Sequence, residues 1–208
     1  MIPGAALAEW LGDIDAQRRS YDKVEAFGAK WAEQPVMTQL KSELRQIRVR
    51  TPEALLAAAR RFMDRVEEID IMIREVVAIS RADPFFRPPF HPISSEVQNS
   101  LLLFHHPELS IALGVSSVDA LAAKKAGRVG AASINFTGVV TMMRFVKSGN
   151  AELSFWETDP ITDLFAASDA APCRLVERRR IADGEEIIVD GRRQSFVVEH
   201  AESDIVYF

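Results

Sequence analysis

Four histidines, one cysteine and a short run of arginines are the side chains of this sequence with most chemistry to offer. The imidazoles are His91, His105, His106 and His200. A first-row metal site needs three or four ligands converging at about 2 Å, and Glu108 and Glu199 could complete such a set. Neighbouring side chains on a strand point to opposite faces, so His105 and His106 can share a site only if a turn carries them. The preferred reading is turn and surface histidines with no cofactor; a divalent metal held by His91, His105, His106 and His200 is the alternative. Cys173 has Arg174 beside it, and a guanidinium lowers a thiol pKa. No histidine is close to it in sequence, and a small buried thiol is the commoner fate of a lone cysteine. A Gly-x-Ser-x-Gly elbow is absent. Gly127-Arg128-Val129-Gly130 lacks the lysine of a phosphate loop and reads as a helix stop. No catalytic residue is assigned.

The arginines offer recognition rather than reaction. On a strand, Arg174, Val176, Arg178 and Arg180 point one way and Leu175, Glu177, Arg179 and Ile181 the other. On a concave face, Arg178 and Arg180 would take a small carboxylate or phosphate in bidentate fashion. On a solvated face they would pair with cross-strand carboxylates such as Glu186 or Glu199. Phe155, Trp156, Phe196 and Tyr207 would line or fill a barrel interior. Alternation also puts Phe196, Val198 and His200 on one face, with His200 at the mouth of a pocket. The candidate ligand set is therefore Arg178, Arg180, Trp156, Phe196 and His200.

The elements that would position these residues follow from periodicity. From Leu7 to Ser80 apolar residues recur at spacings of three and four, with Ile69, Met72, Ile73, Val76 and Val77 forming one stripe. Thr51-Pro52-Glu53 is a helix start: a side-chain acceptor, a residue with no amide to lose, and a carboxylate at the positive helix end. Three or four helices are expected, broken near Pro35 and Arg50. Four prolines and three phenylalanines between Asp83 and Pro92 cannot continue a helix and read as an extended strap packed across a domain seam. Residues 1–82 thus form a helical subdomain, 83–92 the strap and 93–208 a β-rich domain. In the last, Leu101–Phe104 and Leu109–Val115 make a hairpin around His105-His106-Pro107-Glu108, and Val118–Ala126 a short helix capped by Ser116 or Ser117 and closed by Gly127. Strands follow at Gly138–Val146, Glu152–Trp156, Arg174–Ile181, Glu185–Val189, Gln194–Glu199 and Asp204–Phe208, with Asp183-Gly184 and Asp190-Gly191 as turns. The apolar last strand, without a polar tail, is expected either to be pinned in a sheet or to lead into further chain.

The stretch from Arg178 through Asp183-Gly184-Glu185 to Asp190-Gly191, followed by Ser195–Glu199 and Ser203–Tyr207, resembles part of a cupin β-barrel: strand, D-G-E turn, strand, further hairpin. The likeness covers 133–208. It implies an antiparallel, jelly-roll barrel for that part, and with the helices read from periodicity ahead of it the expected fold class is α+β. Metal-binding cupins carry His-x-His with a following glutamate and a later histidine, and no histidine lies between Ser133 and Glu199, so the family's metal site is not carried over.

Composition sets the remaining bounds. The hydrophobic share is 48% and the charged share 26%, as in folded globular chains. A net charge of −5 falls on residues 91–208 and gives no basic footprint for nucleic acid. No apolar run reaches membrane-span length, the first residues are not those of a signal peptide, and the cytoplasm is the expected compartment. The expected role is a non-catalytic module that holds a small anionic ligand or joins a complex. A metal-dependent cupin enzyme and a structural oligomerisation protein, a homodimer through the helical stripes, are the alternatives.

Overall fold

The computed structural model describes residues 4–88, 90–127, 134–162 and 171–208. The chain divides into two units, Met1–His91 and Pro92–Phe208.

The first unit is helical, with α1 Gly4–Gly12, α2 Ile14–Ala32, α3 Pro35–Gln46, α4 Pro52–Met63 and α5 Val66–Ala82. Pro35 and Pro52 each open a helix, where a missing amide costs nothing. Thr51 accepts from the Ala54 amide at 3.3 Å. Two breaks escape the periodicity. Asp13 separates α1 from α2 and caps the second by accepting from Ala16 at 2.8 Å, and Asp64-Arg65 separates α4 from α5. Burial follows helical spacing: Val36, Met37, Leu40 and Leu44 on α3, then Ala58, Ala59, Phe62 and Met63 on α4, then Ile69, Met72 and Val76 on α5. Val77, expected on that last stripe, is exposed.

The Pro/Phe-rich strap is anchored within this unit. Phe86 meets Phe27 edge-on with ring centroids 5.7 Å apart, Phe90 meets Trp31 at 4.3 Å, and Phe85 stacks on Trp10 at 4.8 Å. Lys23 holds Asp83 at 2.7 Å and keeps its carboxyl below the ordinary value. No described helix is long and apolar enough to cross a membrane.

The second unit carries β1 His91–Ser94 (whose first residue closes the helical unit), β2 Gln98–His106, β3 Leu109–Ser116, α6 Val118–Ala126, β4 Val140–Lys147, β5 Glu152–Glu157, β6 Arg174–Arg180, β7 Glu186–Asp190, β8 Gln194–His200 and β9 Ile205–Tyr207. They form a six-stranded sheet, β1-β2-β3-β9-β4-β7, and a three-stranded sheet, β6-β5-β8. The chain is thus α+β, helices first and antiparallel sheets after. Among the described residues the two sheets do not close into a barrel. The last strand is pinned, pairing with β3 on one side and β4 on the other. Ser117 caps α6 by accepting from Ala120, and Asp204 accepts from the Val118 amide at 2.9 Å.

Phe145, Leu153, Ile181, Ile187, Val189 and Ile205 form the buried core of this unit. Tight turns carry the chain from sheet to sheet. At the β7–β8 turn, Arg192 binds both carboxylate oxygens of Asp190, at 2.8 and 2.7 Å. The Arg192 side chain lowers the Asp190 pKa from 3.8 to about 2. A folded-state pKa below the unfolded one contributes stability that is complete above the unfolded value and disappears as pH falls through the folded value. Acid melting of the second unit should therefore include a component between about pH 4 and 2, and Asp190→Asn should flatten it. An unchanged acid limb in the variant would show that the turn does not contribute.

Candidate functional site

Strand β5 is the centre of the three-stranded sheet, and its register fixes which side chains meet. Leu153 lies opposite Arg179 and Val198, Phe155 opposite Glu177 and Phe196, Ser154 opposite Arg178 and Val197, and Glu152 opposite Arg180 and His200. Cross-strand partners share a face. The inner face therefore carries Leu153, Phe155, Glu177, Arg179, Phe196 and Val198, and the outer face Glu152, Ser154, Trp156, Arg178, Arg180 and His200.

Two bulges decide this partition. Trp156 pairs with Leu175 and Phe155 with Glu177, so Val176 is the extra residue on β6. Glu152 pairs with His200 and Leu153 with Val198, so Glu199 is the extra residue on β8. A bulge changes the phase of alternation. His200 therefore does not share a face with Phe196 and Val198, as simple alternation would have it. Of the candidate ligand set, Arg178, Arg180 and His200 come together on the outer face, Phe196 lies on the inner one, and Trp156, on the outer face by register, also lines the cleft between the sheets.

The outer face is a hydrogen-bonded network. The Trp156 indole N–H donates to Ser154 Oγ at 2.9 Å, and Ser154 donates to Glu199 Oε1 at 2.6 Å. Arg178 reaches the same Glu199 oxygen at 3.4 Å and Glu152 at 3.6 Å. Lys125 of α6 donates to the Glu199 carbonyl and lies 3.7 Å from its carboxylate. Ser154 is 0% exposed, so its hydroxyl depends on these partners. Ser154→Ala should cost about 1–3 kcal/mol, because the indole N–H loses its acceptor under cover. Equilibrium unfolding read at the Trp156 indole resonance measures it, and a loss below about 0.5 kcal/mol would show that water takes over the hydroxyl's role. With Glu152 and Glu199 on it, Arg178 takes the cross-strand role. Arg180 and His200 are exposed.

The inner face opens into a cleft of about 290 Å³ between β5, β6 and β8 on one side and β7 on the other. Its apolar wall includes Phe155, Trp156, Val176, Ile187, Ile188 and Val189, and its polar wall Glu157, Glu177, Arg179, Glu186, Gln194 and Ser195. The Arg179 guanidinium lies 5.2 Å from the Phe155 ring centroid, bonds Glu185 and approaches Glu177 at 3.4 Å. Burial raises the Glu185 pKa, but the Ala182 amide and Arg179 outweigh it and leave the carboxyl below its ordinary value. Gln194, against burial and with help from Arg174, lowers Glu157 in the same way. Both side chains are carboxylates at neutral pH. Arg144 holds Glu186 at 3.3 Å. The cleft is thus a half-open space with a hydrocarbon side and a charged side.

The histidines lie elsewhere in their elements. His105 pairs with Ser110 at 2.9 Å and His106 stands 3.6 Å from Glu108, both at the β2–β3 hairpin end, while His91 begins β1. Among the described residues no three His, Cys, Asp or Glu side chains form a group able to hold a metal. Cys173 is half-buried just before β6. Gly127 ends α6, and Arg128–Gly130 lie outside the described residues.

No family model, curated protein or solved structure matches this chain. Sequence reasoning missed Arg179, Glu177, Ser154 and Ile188. The alternating charges of β6 hinted at Arg179 and Glu177; nothing local marks the bulges or the partner strands.

Proposed function

We propose that the second unit is a non-catalytic small-ligand-binding module and that the ligand sits in the cleft between its two sheets. The observation that carries this is the cleft itself: about 290 Å³, with Phe155 and Ile188 on one wall and Arg179 and three glutamates on the other. Ligand sites are typically concave, largely apolar and furnished with a few polar groups, and a volume near the lower end of their range suits a small molecule.

Ile188 lines the cleft and is 46% exposed, so a larger side chain there fills the space without entering the core. A fragment at ten times its Kd stabilises the binding fold by about 1.4 kcal/mol. Fragments that raise the melting temperature of the wild-type second unit should lose that effect in Ile188→Trp. Stabilisation that persists in the variant would place binding elsewhere.

The expected anionic ligand remains a second reading on the outer face, favoured by exposed Arg180 and His200. Arg178→Ala/Arg180→Ala should then abolish stabilisation by phosphate or small carboxylates. A homodimer is the third reading, favoured by Leu11, Ile14 and Ile71, which the first unit leaves exposed. A concentration-dependent sedimentation coefficient would support it.

A further inference from the structure

We infer that the cleft favours a ligand with a positive charge on an apolar body, such as a small organic ammonium. This rests on the reading of the cleft as a ligand site and names the class of molecule it would take. Among the described residues the charged side chains lining the cleft are Glu157, Glu177, Glu186 and Arg179. Three carboxylates thus face one guanidinium. That guanidinium is already shared between Glu177 and Glu185 and lies over the Phe155 ring. An anion entering the cleft would have to displace a carboxylate from Arg179 while approaching the other two glutamates.

The cations that compensate Glu157 and Glu186 are not among the lining residues. Arg174 reaches Glu157 at 3.5 Å with its side chain 70% exposed, and Arg144 reaches Glu186 at 3.3 Å from the neighbouring strand β4. At the cleft surface the charge presented is that of the carboxylates, because Arg174 and Arg144 hold Glu157 and Glu186 from outside the lining. The bulge at Val176 adds to this, because Val176 and Glu177, though adjacent in sequence, both line the cleft. An aliphatic contact and a carboxylate are thereby set side by side, as an ammonium on a short hydrocarbon stem requires. Val176, Ile187, Ile188 and Val189 supply the wall for that stem.

The test uses the full chain with labelled isoleucine and valine methyls and three probes of similar size. These are 2-phenylethylammonium, 3-phenylpropanoate and 2-phenylethanol, titrated at constant ionic strength. The ammonium should perturb the Ile188 and Val176 methyls with an affinity at least about tenfold above the carboxylate, a ratio that corresponds to roughly 1.4 kcal/mol. Glu177→Gln should reduce the ammonium's advantage over the alcohol several-fold and leave the alcohol's own affinity unchanged. Unmoved Ile181 and Ile205 methyls, in the core of this unit and outside the cleft lining, confirm that the variant keeps its fold; if they move, the wild-type ranking decides alone. Equal or tighter binding of the carboxylate would overturn the charge inference while keeping the cleft as a ligand site. No perturbation by any of the three would overturn the ligand reading itself.

Discussion

Leu153→Ala is expected to destabilise the second unit by about 3–5 kcal/mol, the upper part of the range for deleting a buried leucine. Leu153 is 0% exposed at the middle of β5 and belongs to the core formed with Phe145, Ile181, Ile187 and Ile205. β5 is paired on both sides, with β6 and β8, so its backbone cannot move in to fill the gap without breaking two ladders. The resulting cavity adds its own cost to the lost transfer energy. A typical domain has about 5–15 kcal/mol in total, so the variant should approach the edge of folding. Hydrogen exchange of β5 amides under denaturant measures the loss within this unit alone. A loss below about 1 kcal/mol would contradict the packing described, since a fully enclosed leucine cannot be trimmed so lightly.

Gly149→Ala should cost at least about 2 kcal/mol, from two sources that act together. Gly149 has φ of 60° and Asn150 φ of 52°, the left-handed pair of a two-residue turn closed by Ala151 N–H donating to the Ser148 carbonyl at 3.0 Å. A Cβ at Gly149 would also press into the Ser203 backbone carbonyl, which has no flexible side chain to yield. The neighbouring contacts fix that approach: Glu202 N–H donates to the Gly149 carbonyl at 2.8 Å, and Asn150 holds the Glu202 carboxylate at 2.8 Å. Gly138→Ala is the control. Its φ is 76° but a Cβ there meets nothing within 4 Å, so it carries the backbone penalty alone, about 1 kcal/mol. Equal losses at the two glycines, read by the same exchange experiment, would remove the steric part of this explanation.

Much of the fold is legible from local signals. Helical spacing, Thr51-Pro52-Glu53, the Ser117 cap and the Asp-Gly turns each depend on residues a few positions apart. The strands from β4 to β9 accordingly fall within a residue or two of where alternation and turn residues put them. Asp13 was harder to read as a break, because α1 and α2 are both apolar-periodic and only the cap hydrogen bond separates them. The short β1 carries no alternating burial at all.

The candidate site was less legible, for a related reason. Which arginine faces the cleft depends on register and bulges, and these are set by partners far away in the chain. Arg178 and Arg179 are adjacent and chemically identical, yet one is held outside by Glu152 and Glu199 and the other lies inside against Phe155. His200 shows the same effect: one extra residue, Glu199, turns it from the inner face to the outer. Local alternation gives the phase of a strand only until the first bulge.

The most direct test of a ligand site between the sheets is isoleucine-methyl NMR of the full chain titrated with a fragment set. Ile187 and Ile188 line the cleft, whereas Ile69 and Ile71 lie in the helical unit and serve as internal references. The expected result is that some fragments shift the Ile187 and Ile188 methyls saturably and leave Ile69 and Ile71 in place. Fragments that bind the protein but leave the Ile187 and Ile188 signals unmoved, or a set in which none moves them, would contradict it.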